Sequence, residues 1–447
     1  MALSMEKTIE NLYEAKKYRT LKDILSELNE ADIADFFNET SEEALPILFR
    51  LLPKDMAAEV FSFMESEAQE LLIRGFSDNE LKEVIDELYV DDAADLVDEM
   101  PANVVKRILK NADPEKRQMI NEILNYPEDS AGSLMNIAYI SLRPNMTVNE
   151  AIKRIRRTIT ETETIYTCYV TDDNRRLLGY ISVKTLLLSD EDEKIKDIMD
   201  ATPVYVNTMD DKEDVAKKMN KYDFVTMPVV DDEMRLVGIV TFDDAIDVLQ
   251  EETTEDIEIM AAMAPAEEGY LKTSDVKHAR NRIVWLLVLM ISATFTGAIL
   301  SSYEAAFSSV PILVSFIPML MGTGGNCGSQ SSTMIIRGMS VDEIHLKDCL
   351  KVLWKEFRIS LVLSTILSIV NGLRILIFYR NPLLAAVISL SIVGTVIMAE
   401  VIGCMLPMLA KKCRLDPAVM SAPMITTIVD AGCILIYFTI ASAAFNI

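Results

Sequence analysis

The sequence has few of the residues from which enzymes usually build catalytic and metal centres. Its 447 residues include only two histidines and two tryptophans, and we find neither a phosphate-binding P-loop nor a nucleophile motif. The six cysteines form no Cys-x-x-Cys pair, and most lie in or beside apolar segments, which argues against a disulfide framework and against a zinc site. A hydrolytic enzyme is therefore a poor interpretation.

Positive charge is scarce in the first 276 residues. The chain holds 43 Lys and Arg against 69 Asp and Glu; 13 of the basic and 8 of the acidic residues follow Val276, so that part carries +5 and residues 1–276 carry −31. Such an acidic half would repel the phosphates of nucleic acid. Solubility alone explains the acidity, and the open alternative is that divalent cations bind between acidic faces.

Long apolar segments occur only after Val276. We predict five membrane spans, at residues 283–302, 311–336, 359–379, 383–410 and 417–446. Three basic clusters fall on one side of these spans, the side of the acidic half, and only Arg374 and Arg380 break the pattern. Because the N-terminus is polar and has no signal-peptide pattern, we expect a cytosolic acidic half and an external C-terminus.

The second predicted span is rich in glycine and polar residues. Residues 322–328 contain four glycines, and the same segment carries Thr323, Asn326, Ser329 and Gln330. Each glycine destabilises a helix by about 1 kcal/mol relative to Ala. Two interpretations stay open: close helix packing through small residues, and an irregular backbone that lines a pore or cavity. We count Asn326 as a candidate pore-lining residue.

Asp430 is the most informative residue of the apolar half. It lies within the apolar segment 418–447, together with Thr426 and Thr427, and no span offers a basic partner for it. A carboxylate in the middle of a span costs about 2.5–3.5 kcal/mol and usually marks an ion path. The alternative is an Asp that is hydrogen-bonded between helices and has no role in transport.

Residues 1–125 are predicted to be all-α. A loose repeat at 28–37, 52–61 and 88–97 combines an initial Leu with an acidic, Ala-rich stretch, which indicates short helices stacked into a superhelix. Asp91 and Asp95 share one helical face. Helix capping explains them, and joint binding of a cation is the alternative.

Residues 126–249 contain two copies of a pattern of helix, strand, acidic turn and strand. This pattern resembles a tandem pair of CBS domains, an α/β fold that is commonly regulatory and often binds adenine nucleotides. The nucleotide pattern of that family is met by Gly238, Thr241 and Asp244, whereas the first copy has Thr185 in place of the Asp. ATP is therefore a candidate cofactor at Thr241 and Asp244. Residues 250–276 are predicted to form a connecting helix, either a passive linker or a transmitter of motion.

The order of these parts resembles the bacterial MgtE magnesium channels. The strings that carry the resemblance lie at residues 126–135, 282–287, 318–330 and 422–430. It implies an all-α superhelical N-terminal domain, an α/β CBS pair, a connecting helix and an all-α domain of five spans at residues 277–447. It also implies a homodimer in the bacterial plasma membrane, with a pore along the dimer axis and Mg²⁺ as both the permeant and the regulatory ion.

The resemblance also assigns metal ligands. Asp430 matches the pore carboxylate, and we add Thr426 and Thr427 as candidate pore-lining residues because they are polar. The regulatory carboxylates fall by position on Glu59, Asp91, Asp95, Asp211, Glu213, Asp223, Asp244, Asp247, Glu252, Glu255 and Asp256. Asp244 thus belongs to both the nucleotide pattern and the metal pattern.

The resulting hypothesis is a magnesium channel that cytosolic Mg²⁺ closes by bridging the acidic domains. A divalent cation gains about 4.6 kcal/mol per 100 mV of membrane potential, so inward flow needs no coupled ion. Two alternatives remain: a secondary transporter that exchanges Mg²⁺ for protons or Na⁺, and a magnesium sensor whose membrane half is only an anchor.

Overall fold

The computed structural model describes residues 2–159, 162–266, 270–271, 273–420 and 422–445. It forms two compact units, Met1–Gln250 and Glu251–Ile447. Each unit is described by itself.

The first unit begins with ten short helices in the described part of residues 1–125. They are α1 (Ala2–Glu14), α2 (Tyr18–Leu25), α3 (Glu30–Asn38), α4 (Leu45–Phe49), α5 (Lys54–Ser62), α6 (Ser66–Gly75), α7 (Asp78–Glu87), α8 (Val90–Glu99), α9 (Ala102–Asn111) and α10 (Pro114–Ile123). Side-chain capping fixes where some of these helices begin; for example, Ser77 and Glu80 form a capping box at the N-terminus of α7. Their apolar faces meet in one core around Phe37, Phe49 and Phe61.

Two α/β repeats complete the first unit, and each contains a three-stranded sheet of mixed pairing. The strands are β1 (Ser141–Leu142), β2 (Thr167–Thr171), β3 (Leu177–Ser182), β4 (Val206–Asn207), β5 (Thr226–Val230) and β6 (Leu236–Thr241). The helices are α11 (Val148–Thr158), α12 (Val183–Leu188), α13 (Ile195–Ile198), α14 (Lys212–Tyr222) and α15 (Phe242–Met260). In both sheets the first strand pairs parallel with the second, and the second pairs antiparallel with the third.

The predicted connecting helix differs from the one observed. Instead of a helix over residues 250–276, α15 begins in the second repeat at Phe242 and ends at Met260. The next helix begins only at Asp275, and residues 267–269 and 272 lie outside the described residues.

The second unit is helical. Its elements are α16 (Asp275–Ser302), α17 (Glu304–Ser309), a 3-10 helix (Pro311–Phe316), α18 (Ile317–Ser340), α19 (Cys349–Tyr379), α20 (Pro382–Lys412) and α21 (Ala422–Phe445). Within the described residues, four helices are long and apolar enough to cross a membrane, Asp275–Ser302, Leu346–Tyr379, Pro382–Lys412 and Ala422–Phe445. The other predicted span, α18, has 24 residues and is about 36 Å long. It is not among the four, and its glycines and polar residues make it less apolar.

The glycines of α18 serve close packing. The helix is continuous through them, so of the two open interpretations the structure supports close packing and not an irregular backbone. A Cβ atom on Gly324 would lie 2.6 Å from the Cys433 Sγ, and one on Gly328 would lie 2.8 Å from the Ile425 Cγ2. On α20, a Cβ atom on Gly403 would collide with the backbone oxygen of Gly328. Helices α18 and α20 therefore approach each other to backbone distance, and side chains of α21 pack directly against the glycines of α18.

We expect Gly403→Ala to destabilise the membrane unit by about 1–3 kcal/mol, because the added methyl group meets backbone that cannot move aside cheaply. Thermal unfolding of the full chain in detergent measures the effect. Gly297→Ala is the matched control, since a Cβ atom there meets nothing within 4 Å. Equal melting temperatures for the two variants would contradict the packing that the structure shows.

Candidate functional site

Six carboxyl groups of the first unit lie close together where α8 approaches the start of α15 and the segment before β2. We call them the acidic cluster, and its members are Asp91, Asp92, Asp95, Glu163, Asp243 and Asp244. Helix α8 supplies the first three, because residues one turn apart on a helix share a face. The cluster joins the helical part of the unit to both α/β repeats.

Burial and mutual repulsion make this cluster electrostatically unusual. Burial, with the charge of neighbouring carboxylates, raises the pKa of Asp92 and of Asp244 to about 6 and that of Glu163 to about 8. The pKa of Asp91 is raised well above its usual value by burial and then by Glu163, Asp92 and Asp244. Lys116 is the basic residue that acts on Asp92, and burial lowers its own pKa.

Asp95 faces the same neighbours and keeps contact with water. Burial of its carboxyl group raises its pKa, and the charges of Asp244 and Asp92 add to that effect. The residue nevertheless retains more than a third of its surface exposed. An ion from solution can therefore reach the cluster at Asp95.

Asn136 connects the parts of the acidic cluster. Its side-chain Nδ2 donates to the Asp91 Oδ1 at 3.0 Å and also to the Glu163 Oε2. Its backbone pairs with Ile239 of β6 through bonds of 2.7 and 2.8 Å. Since Asn136 is fully buried, it fixes α8 and Glu163 relative to the second sheet.

Asp244 is held by the first turn of α15. The Thr241 hydroxyl and the Thr241 amide both donate to the Asp244 Oδ2, the amide at 3.4 Å. Thr241 and Asp244 of the nucleotide pattern are thus hydrogen-bonded to each other, and Asp244 faces Asp243 and Asp92. Negative charge around Asp244 suits a cation better than the phosphates of a nucleotide.

The donor set fits hydrated Mg²⁺. It consists of oxygen ligands, which Mg²⁺ prefers, and Mg²⁺ usually keeps several of its waters when it binds to proteins. Among the residues that the structure describes, no three or more His, Cys, Asp or Glu side chains are arranged to hold a metal ion. The carboxylates would therefore contact the ion partly through its water shell.

Three of the predicted regulatory carboxylates lie in the first turn or at the ends of α14. Asp211 caps the helix by accepting a hydrogen bond from the Glu213 amide at 2.9 Å, and the Glu213 carboxylate pairs with Lys217 at 2.5 Å. Asp223 ends the helix in the left-handed conformation, with φ of 54°. Asp211, Glu213 and Asp223 are not among the groups that shift the pKa values of the acidic cluster.

The remaining predicted carboxylates lie on α5 and α15. Glu59 is exposed on α5 and is one of the charges that raise the pKa of Tyr89. Burial and then Asp243 raise the pKa of Asp247, which lies one turn along α15 from Asp243. The later part of α15 carries Glu252, Glu255 and Asp256.

Asp430 lies in the middle of α21 and is half-buried. Within the described residues it forms no salt bridge and no hydrogen bond, unlike Thr426 and Thr427, whose hydroxyl groups both donate to the Pro423 carbonyl at 2.9 Å. A Cβ atom on Gly325 would lie 2.8 Å from the Thr426 Cγ2. Thr426 thus packs against Gly325 of α18, the residue before the exposed Asn326.

Sequence reasoning missed several residues of these sites. Glu163 and Asn136 join the acidic cluster through long-range pairing, which leaves no periodic signal in the sequence. Glu400 lies inside the predicted span 383–410, and the rule that singled out Asp430 applies to it equally. The structure buries Glu400 together with Glu356 of α19.

Three protein-family models match most of the chain, with residues 252–316 outside them. Residues 10–129 match the MgtE intracellular N domain, residues 131–191 and 195–251 match CBS domains, and residues 317–440 match the MgtE family described as a divalent cation transporter. The predicted fold class is confirmed by these matches and by the structures that the chain resembles.

Two solved structures resemble the chain, and each covers 56% of it. One is the cytosolic domain of the Mg²⁺ channel MgtE in complex with ATP, with 37% identity, a TM-score of 0.52 and 100% of that chain covered. The other is the soluble part of a magnesium transporter, with 28% identity, a TM-score of 0.54 and 99% of that chain covered.

Two relatives match over nearly their full length. The magnesium transporter MgtE of Thermus thermophilus is 37% identical over 427 residues, which are 95% of this chain and 94% of the relative. The magnesium transporter MgtE of Bacillus subtilis is 31% identical over 430 residues, which are 96% of this chain and 94% of the relative. The chain therefore belongs to the MgtE family of magnesium transporters.

Proposed function

We propose that this protein is a magnesium channel, that Asp430 lines its pore and that Mg²⁺ bound at the acidic cluster closes it. The observation that carries the regulatory half of the proposal is the acidic cluster itself. Its carboxyl groups are buried and lie close to each other, and Lys116 is the nearby cation. A site that binds protons so readily offers the same oxygens to a divalent cation.

The pore half of the proposal is supported by the state of Asp430. A carboxylate without a partner is costly in lipid, so it belongs beside water or protein. Mg²⁺ gives up its waters reluctantly, and a carboxylate together with hydroxyl and carbonyl oxygens can hold it hydrated. In a homodimer, two copies of Asp430 across the symmetry axis would supply two such carboxylates.

Energetics favour a channel over a coupled carrier. A membrane potential of 100 mV moves a divalent cation inward with about 4.6 kcal/mol, which corresponds to roughly three decades in equilibrium distribution. Uptake thus needs no coupled energy source, but it does need a mechanism that closes the path. A secondary transporter that exchanges Mg²⁺ for protons or Na⁺ is the second candidate, and single-channel current separates it from a channel.

In this proposal the channel closes because bound Mg²⁺ neutralises charge in the acidic cluster. When cytosolic Mg²⁺ is low, repulsion between the carboxylates of α8, Glu163 and α15 favours separation of these elements. When Mg²⁺ is high, the bound ion removes that repulsion and favours the compact form. This is a population shift set by the difference in ion affinity between the two forms. Regulatory roles for Glu59 and the carboxylates of α14 and α15 belong to the same proposal.

The proposal includes the orientation in the membrane. Basic residues cluster in the loops that would lie on the side of the acidic half, which by the positive-inside rule is the cytosol. The acidic half then meets the cytosolic Mg²⁺ that it senses, in the bacterial plasma membrane, and the C-terminus lies outside.

ATP is a second ligand to test at Thr241 and Asp244. The relative whose cytosolic domain was solved in complex with ATP gives the reason to test it. Because Asp244 faces Asp92 and Asp243, the phosphates would be repelled there. A nucleotide would approach most readily once Mg²⁺ has neutralised the cluster.

We expect Asp430→Asn to lower Mg²⁺ influx at least about tenfold, the effect of losing about 1.4 kcal/mol of interaction with the ion. Flux into proteoliposomes that contain the full chain measures it. Asp342→Asn is the control, because Asp342 is an exposed acid of the same unit. Normal flux through a correctly folded Asp430→Asn protein would refute the pore role.

We expect the double variant Asp91→Asn and Asp95→Asn to stay open at high Mg²⁺, with the half-inhibitory concentration raised at least about tenfold. Current through the full chain, with Mg²⁺ varied on the cytosolic face, measures the inhibition. The matched control replaces Asp32 and Asp35 of α3 by Asn, which removes the same charge from exposed positions. Unchanged inhibition in the first variant would count against the acidic cluster as the sensor.

The raised pKa values predict how stability depends on pH. In the folded chain the pKa of Asp92 rises from 3.8 to about 6, and that of Glu163 rises from 4.5 to about 8. The folded chain therefore binds more protons than the unfolded chain in this pH range. Without divalent cations, stability therefore falls as pH rises from about 4 to about 8. Saturating Mg²⁺ should flatten this slope, because the ion replaces the lost protons.

Calorimetric melting of the full chain across this pH range tests that expectation. K⁺ at equal ionic strength is the control, because screening acts with any salt. Equal slopes in Mg²⁺ and K⁺ would show that the cluster does not bind Mg²⁺.

A further inference from the structure

A second pair of acids lies inside the membrane unit, apart from Asp430. Glu356 of α19 is 8% exposed and Glu400 of α20 is 2% exposed. Their carboxyl groups lie within hydrogen-bonding reach of each other. The Ser331 hydroxyl of α18 donates to the Glu356 Oε2 at 2.8 Å. Three helices that pack together therefore meet at this pair.

The surroundings of the pair supply no countercharge. In the described part of the chain, neither glutamate forms a salt bridge. The titratable groups that face them are the thiols of Cys327 on α18 and Cys404 on α20, and ordinary thiols are neutral below about pH 8. The nearby basic residues are exposed, namely Arg337 of α18 and Lys355 and Arg358 of α19, and α21 contributes Asp430 as its one charged residue.

Two carboxylates at hydrogen-bonding distance cannot both be ionised without a cation, because like charges this close repel strongly. A hydrogen bond between them also requires that one of them carries the proton. We propose that Glu356 and Glu400 bind one proton between them, and that this shared proton holds α19 and α20 together beside Ser331 of α18. The pair then carries one negative charge, and the Ser331 hydroxyl stabilises it.

The position of the proton site links it to packing near the proposed pore. Ser331 follows Asn326 by five residues of α18, which is about 7.5 Å along the helix axis. Loss of the proton would bury a second negative charge and push α19 and α20 apart. The proton site itself stands without the proposed pore, because it rests only on the pair, on Ser331 and on the absent countercharge.

Infrared spectroscopy of the full chain in lipid vesicles tests the shared proton directly. A protonated carboxyl group has a carbonyl band that an ionised one lacks. We expect the single variants Glu356→Gln and Glu400→Gln each to lose the band of one protonated carboxyl group at neutral pH, because the amide of Gln donates to the remaining carboxylate. The double variant should lose no more than each single variant. An unchanged band in both single variants, or twice the loss in the double variant, would overturn the proposal.

The effect on packing is tested by thermal melting in saturating Mg²⁺, which holds the acidic cluster constant. At neutral pH the proposed folded pair holds one proton, whereas both glutamates of the unfolded chain are ionised, so stability falls as pH rises, by up to about tenfold in the folding equilibrium per pH unit. Glu400→Gln should remove this component of the slope, whereas Glu343→Gln, at an exposed glutamate, should keep it. Identical slopes for the two variants would refute a role of the proton in packing.

Discussion

Repulsion between carboxylates that lack basic partners is the constraint on which both units depend. At the acidic cluster, six acids lie close together, two of them bonded to Asn136, with Lys116 as the nearby cation. In the membrane unit, Glu356 and Glu400 meet without a countercharge. Each group must be protonated, bind a cation or move apart. Burial and the neighbouring side chains decide which of these responses is open to each group.

The scaffold sets those responses through burial. Asn136 ties Asp91 and Glu163 to β6, so the cluster cannot relax without moving α8 away from the α/β repeats. The surface of Asp95 stays open to solvent, which gives an ion access. Under the proposed function, repulsion that an ion from solution relieves would make the folded arrangement depend on ion concentration. A cluster of exposed acids would be screened by water and salt, and it would not respond in this way.

Much of this organisation could be predicted from the sequence because its signals are local. The switch from helical to strand periodicity separated the two parts of the first unit, and the single charge in an apolar segment made Asp430 a candidate that stays a prediction. The glycines of α18 left two interpretations open, since helix propensity is a weak guide where tertiary packing fills the space beside a glycine, as it does at Gly324, Gly325 and Gly328. Glu163 and Asn136 were missed because their contacts join distant segments. Glu400 carried the same signal as Asp430 and was overlooked.

The two kinds of membrane carboxyl group differ in their surroundings. Glu400 is fully enclosed and has Glu356 and Ser331 as partners, so a proton can satisfy it and no hydrated ion can reach it. Asp430 is half-buried and has no partner among the described residues of its own chain. A carboxylate in that state is satisfied only from outside, by water, by an ion or by a second subunit. The enclosed pair is therefore suited to hold helices together, and Asp430 is suited to meet a passing cation.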